Sequence, residues 1–145
     1  MNLANEEKRT DGGELAGWAS FEGKVDVLLA YRTRKDMQKI IKKCTKTTYV
    51  NHQPKQDLDD DKLYEALADC VLDWNLTLGV VATMVPIKLD PAREEEKVPC
   101  TRENVLFLLK EAYYFDGFVR EASTDLSMLK EAREEKNSGS GPGTT

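Results

Sequence analysis

The chain contains a single histidine, His52, and three cysteines, Cys44, Cys70 and Cys100. One histidine removes every metal site built on a histidine pair. It leaves a Cys–His nucleophile only if His52 meets a cysteine in space, and nothing in its polar surroundings arranges that. The cysteines are odd in number and far apart, with no Cys-x-x-Cys, which suits reduced thiols rather than a disulfide framework. No apolar run approaches the roughly 20 residues of a membrane helix. The N-terminal "MNLANEEKRTDGGELAG" carries acids where a signal peptide has a basic start and an apolar stretch. No glycine-rich loop follows a strand to cradle a phosphate. The 26 acidic and 21 basic residues give a formal charge of −5, which offers no global reason to bind nucleic acid. These absences set the expectations: one cytoplasmic domain, no membrane span, no cofactor or metal, and no enzyme.

An acidic cluster is present and resembles a calcium loop only in part. Asp57, Asp59 and Asp61 fall at positions 1, 3 and 5 of an EF-hand, but position 6 is Lys62 instead of glycine and position 12 is Ala68 instead of glutamate. An acidic helix start accounts for it better.

The hydrophobic pattern predicts a helix-dominated α+β fold with about four helices and a small β element. "KVDVLLAY" (24–31) alternates as a strand does. Thr33 and Asp36 have the spacing of a capping box, followed by Met37, Ile40, Ile41 and Cys44 on one helical face. "TYVNHQPKQ" reads as a loop. A second helix carries Leu63, Ala66, Leu67, Cys70, Val71 and Trp74, and the β-branched stretch 76–89, interrupted by Gly79 and Pro86, reads as extended or hairpin-like. Thr101 caps a third helix bearing Val105, Leu108, Leu109 and Ala112. Phe115, Phe118, Val119, Ala122, Leu126 and Leu129 mark a fourth. At about 100° per residue these last two faces are out of phase, which calls for a break near Asp116–Gly117. The expected organisation is a flexible N-terminus (1–20), one domain (21–137) and a disordered tail (138–145).

Two segments carry opposed charge. Residues 32–46 hold seven basic side chains against Asp36 alone, and residues 57–73 hold seven acids against Lys62 alone. They are either two solvated faces or surfaces that dock within or between chains; the basic helix lacks the interleaved aromatics of specific nucleic-acid binding. "AYYFDGF" (112–118) clusters four aromatics around a helix, with Phe115 and Phe118 toward the core stripe, Tyr113 on the far side and Tyr114 flanking it. Tyrosine, with its apolar body and polar tip, is favoured at protein interfaces.

The order of these pieces resembles a known family. A strand runs into "RTRKDMQKIIKKCT", then "DDDKLYEALADCVLDWNLT", "MVPI" and "VPCTRENVLFLLKEAYYFDGFVREASTDL", closing on Lys-Asn. This is similar to the tail assembly chaperones of long-tailed bacteriophages, often found in prophages, over about residues 21–137. The insert between Trp74 and Cys100 is longer than in the shortest members.

The resemblance implies a non-enzymatic protein of the host bacterial cytoplasm. Such proteins coat the helical tape measure protein, keep it soluble, help recruit tail tube subunits, and are absent from the finished virion. It implies self-association along the client and no cofactor. Tyr113, Tyr114 and Phe118 become the candidate client-binding residues. Lys35, Lys39, Lys42 and Lys43 against Asp59, Asp60 and Asp61 become the candidate self-association residues. The family also gives meaning to the closing "SGSGPGTT". Its genes commonly undergo a −1 ribosomal frameshift to a longer form that recruits tube subunits, and residues 135–137 can be encoded GAA-AAA-AAC, containing the heptamer A-AAA-AAC. The competing readings are a minor tail component retained in the virion and a small nucleic-acid-binding regulator using residues 32–46.

Overall fold

The computed structural model describes residue 5 and residues 15–129. The tail expected to be disordered (138–145) and residues 135–137, where a frameshift site is expected, lie outside the described residues. The strand expected at 24–31 is β2 (Val25–Ala30), the middle of a three-stranded antiparallel sheet, flanked by β1 (Ala16–Phe21) and β5 (Val71–Trp74). Its neighbour β1 (Ala16–Phe21) pairs Phe21 with Val25, Ala19 with Val27 and Gly17 with Leu29. These side chains share the buried face. β1 therefore begins inside the stretch 1–20 expected to be flexible. Its inward set of Gly17, Ala19 and Phe21 is too small in two positions of three to register as a hydrophobic alternation.

Gly17 is small for a reason. A Cβ there would sit 2.7 Å from the Leu129 carbonyl oxygen and 2.9 Å from the Leu129 Cβ, so the last described helix lies directly on β1. That helix, 126–129 within the described residues, opens after Asp125, whose carboxylate accepts from the Met128 amide at 3.1 Å.

After Thr33 comes α1 (Arg34–Lys43), with the expected capping box complete. The Asp36 amide donates to Thr33 Oγ1 at 3.0 Å, and the Thr33 amide donates back to Asp36 Oδ2 at 3.2 Å. Those bonds hold the Asp36 carboxyl below its ordinary value.

Next, the expected loop is a hairpin, β3 (Thr45–Val50) and β4 (Gln53–Leu58). Asn51 and His52 form its two-residue turn, with φ of 52° and 64°. Positive φ at both positions is a type I′ turn, whose twist matches the strands it joins. Asn51 is a favoured first residue, but the usual glycine is replaced by His52, which hid the signal.

The acidic helix α2 (Asp60–Ala68) is capped by Asp59, whose Oδ1 accepts from the Lys62 amide at 3.3 Å. It does not run on through Trp74 as expected. The chain becomes β5 (Val71–Trp74), with Val27 opposite Trp74 and Leu29 opposite Val71. A register shift between Leu28 and Leu29 turns both Val71 and Trp74 inward with two exposed residues between them. Apolar residues three apart then imitate a helix face.

The 76–89 stretch is also corrected, since it contains α3 (Leu78–Met84). Its first amides find acceptors on the following loop, Leu78 N–H to the Glu96 oxygen and Gly79 N–H to the Glu94 oxygen, both at 2.9 Å. These tertiary bonds outweigh the β-branched composition.

Thr101 caps α4 (Arg102–Glu111) by accepting from the Asn104 amide at 3.2 Å. The break from α5 (Phe115–Ser123) falls at Ala112–Tyr114, earlier than the expected Asp116–Gly117.

The class is α+β, but the expected count of about four helices and a small β element is overturned: the described residues hold six helices and five strands in two sheets. Helices α2, α4 and α5 cover one face of the three-stranded sheet. Between them lie the fully buried Val27, Leu29, Leu63, Leu67, Val105, Leu109, Phe115 and Val119, each worth about 1.5–3 kcal/mol of burial. Phe21 meets Phe115 edge-on at 5.4 Å.

Candidate interaction surface

The turn between α4 and α5 places two aromatic rings in solvent. Tyr113 is 77% exposed and Tyr114 62%, and their ring centroids lie 4.0 Å apart. Tyr114 is also left-handed, at φ 71°, a conformation that costs an L residue about 1–2 kcal/mol. The cause lies in the sequence. Ala112 must finish the buried face of α4 and Phe115 must begin that of α5, with only two residues between to reset the phase. A bulky residue held in this region and exposed is a candidate functional position. The Tyr113 side chain also hydrogen-bonds Tyr114, raising the Tyr114 phenol above its usual value.

Phe118 is placed differently from its two neighbours. It is half-buried and packs against Phe21 at 5.0 Å and Phe115 at 6.1 Å, so it supports the site from the core side.

One turn beyond Tyr114, the α5 stripe Gly117, Arg120, Glu121 and Thr124 faces Arg34, Met37, Gln38 and Ile41 of α1 across an open groove of about 420 Å³. A Cβ on Gly117 would meet nothing within 4 Å, so a small residue keeps that end of the groove open. Arg120 sits in its wall. One guanidinium nitrogen lies 3.8 Å from Asp116, while Nε is buried with no hydrogen-bond partner among the described residues. An unsatisfied buried donor of this kind costs about 1–3 kcal/mol.

Among the described residues no ion pair joins Lys35, Lys39, Lys42 or Lys43 to Asp59, Asp60 or Asp61 within the chain. Asp59 is spent as the α2 cap. Asp61 lies 3.7 Å from Lys110, and Asp69 accepts from Arg102, both basic partners on α4. Asp60 is exposed in the first turn of α2. Lys35, Lys39, Lys42 and Lys43 are exposed and form no ion pair among the described residues. The first three follow i, i+4, i+7 spacing along one face of α1, next to the groove. The structure thus brings acids to α4, and leaves the lysine row open.

Sequence reasoning missed two surfaces. The hairpin exposes Tyr49 and Val50, and its signal was the Asn51 turn. Leu72 is exposed on β5, and its signal was hidden by the helix-like spacing there. Chemistry of other kinds has little to work with. Cys44 and Cys70 are buried, and burial pushes the half-buried Cys100 thiol up to about 11. His52 stands exposed at the hairpin tip. Among the described residues no group of three His, Cys, Asp or Glu side chains could hold a metal ion, and no helix is long and apolar enough to cross a membrane. No family model, curated protein or solved structure matches the chain.

Proposed function

We propose that the chain is a tail assembly chaperone of a long-tailed bacteriophage. It acts in the host cytoplasm, binding the tape measure protein, keeping it soluble and helping to bring tail tube subunits to it. One observation carries this reading: the exposed Tyr113–Tyr114 ring pair immediately precedes α5, the helix whose Gly117, Arg120 and Glu121 line an open groove against α1. A helical client has an apolar stripe that must be covered before assembly, and helix-in-groove recognition covers it with an apolar floor and aromatic anchors. Met37 and Ile41 supply the floor, the two tyrosines the anchors. Arg34 and the exposed row Lys35, Lys39 and Lys42 suit acidic side chains flanking that stripe. A longer frameshifted form would add the contact to tube subunits.

The experiment is deletion of the gene in the phage that encodes it, with complementation in trans and mass spectrometry of purified particles. The wild-type copy restores full-length tails, and the chain is absent from them. Tyr113→Ser with Tyr114→Ser restores few or none. Finding the chain in finished particles, at a stoichiometry comparable to other tail proteins, would make it a virion component instead.

A further inference from the structure

The β3–β4 hairpin stands apart as a two-stranded sheet with both faces largely exposed. A lone two-stranded hairpin is marginal in water, and three or more strands are needed for independent stability. Its two edges differ in what they offer a third strand. The turn at Asn51–His52 makes Val50 and Gln53 the closing hydrogen-bonded pair, so Thr48 with Lys55 and Lys46 with Asp57 exchange bonds inside the hairpin. The remaining residues aim their backbone groups outward. On β4 these are Pro54, Gln56 and Leu58, and Pro54 has no N–H to give. Together with the exposed Lys55 this is a protected edge. On β3 they are Thr45, Thr47 and Tyr49, every one with a donor and an acceptor, in the β-favouring run TKTTYV with no proline. No third strand pairs with either edge among the described residues.

We propose that the β3 edge pairs antiparallel with the β3 edge of a second copy of this chain, giving a four-stranded sheet β4-β3-β3-β4 across a two-fold axis. The occupant follows from the edge itself. Two-fold pairing centred on Thr48 sets Thr47 opposite Tyr49 of the second copy as hydrogen-bonded pairs, in phase with the outward groups of both. Lys46 then faces Val50, so no like charges meet. Both outer edges of the product are β4, each carrying Pro54 and Lys55, so the assembly closes as a dimer and does not grow into a fibre. Strand exchange of this kind places Tyr49, otherwise 73% exposed, beside Thr47 of the second copy. The inference needs no client and is independent of the function proposed above.

Sedimentation velocity across a concentration series tests it, using paired proline substitutions. Thr47 and Gln56 are directly opposed in the hairpin, and neither uses its N–H within it. Thr47→Pro therefore removes a donor from the outer edge of β3, and Gln56→Pro removes one from the outer edge of β4, at the same cost to the hairpin. Wild type and Gln56→Pro are expected to be dimers, with Thr47→Pro raising the dimer dissociation constant by about tenfold or more. Thr48→Cys, in a Cys100→Ser background, is expected to cross-link to itself on oxidation, since the two Cα atoms of a non-hydrogen-bonded pair lie about 4.5 Å apart. A monomeric wild type, a dimer indifferent to Thr47→Pro, or absence of the Thr48→Cys cross-link would each overturn the proposal.

Discussion

Replacing Tyr114 by glycine should leave the fold almost as stable as before while removing half of the aromatic pair. The ordinary expectation for truncating a large aromatic is a loss of about 3–5 kcal/mol, but that applies to packed side chains. Tyr114 is 62% exposed and sits at φ 71°. Glycine relieves about 1–2 kcal/mol of left-handed strain, gives back about 0.4–1 kcal/mol through the greater freedom of the unfolded chain, and loses about 0.5–1.5 kcal/mol of contact with the Tyr113 ring. The net lies within about 1.5 kcal/mol of zero by these contributions, a melting shift of about 5 °C or less for a chain of this size. Tyr114→Ala keeps the strain and loses the same ring, so it should fall below the glycine variant by about 0.5–1 kcal/mol. Thermal and urea denaturation of the three proteins read both differences. An alanine variant as stable as the glycine one would mean that residue 114 is not left-handed. A loss of 3 kcal/mol in both would mean that the ring is packed, and the exposed anchor would be gone.

Gly17→Val should destabilise by about 1–3 kcal/mol, because its Cβ would press on the Leu129 backbone at 2.7 Å; urea unfolding measures this, and an unchanged midpoint would contradict the seating of the last helix on β1. The Asp36 carboxyl, held down by its bonds to Thr33, should titrate below the ordinary 3.8 in an NMR pH series, and Thr33→Ala should return it toward that value. Because its folded pKa is depressed, the stability it contributes is present above the unfolded pKa and is lost as pH falls through the folded one. The Cys100 thiol, pushed up to about 11 by burial, should react with a thiol reagent at pH 8 far more slowly than free cysteine; fast modification of native protein would place it in solvent.

Where a local rule and the tertiary fold agree, the sequence was sufficient. The Thr33–Asp36 box, the Thr101 cap and the alternation through Val25, Val27 and Leu29 were legible because each is a short-range pattern with one structural solution. The misreadings share a different origin, since in each a partner distant in sequence decides. Val71 and Trp74 looked helical because the extra residue Leu72 of β5, opposite Leu28–Leu29 of β2, shifts the register and turns both inward. Residues 78–84 looked extended because their capping acceptors lie on the loop at Glu94 and Glu96. β1 was invisible because Gly17 is defined by Leu129, over a hundred positions away. The candidate site divides along the same line. Tyr113 could be placed opposite the core stripe by helical phase alone, whereas the left-handed turn that exposes Tyr114 and the groove between α1 and α5 exist only once the helices are packed.

The proposed function has this chain cover a helical client through the Tyr113–Tyr114 pair and the groove between α1 and α5. Co-expression with the tape measure protein of the same phage tests it most directly, by the fraction of that protein recovered in the soluble lysate and co-purified with the chain. The client should be largely insoluble alone, soluble and bound with the wild-type chain, and insoluble again with Tyr113→Ser and Tyr114→Ser, although that variant stays folded. A tape measure protein that remains insoluble beside abundant, folded wild-type chain would contradict the account.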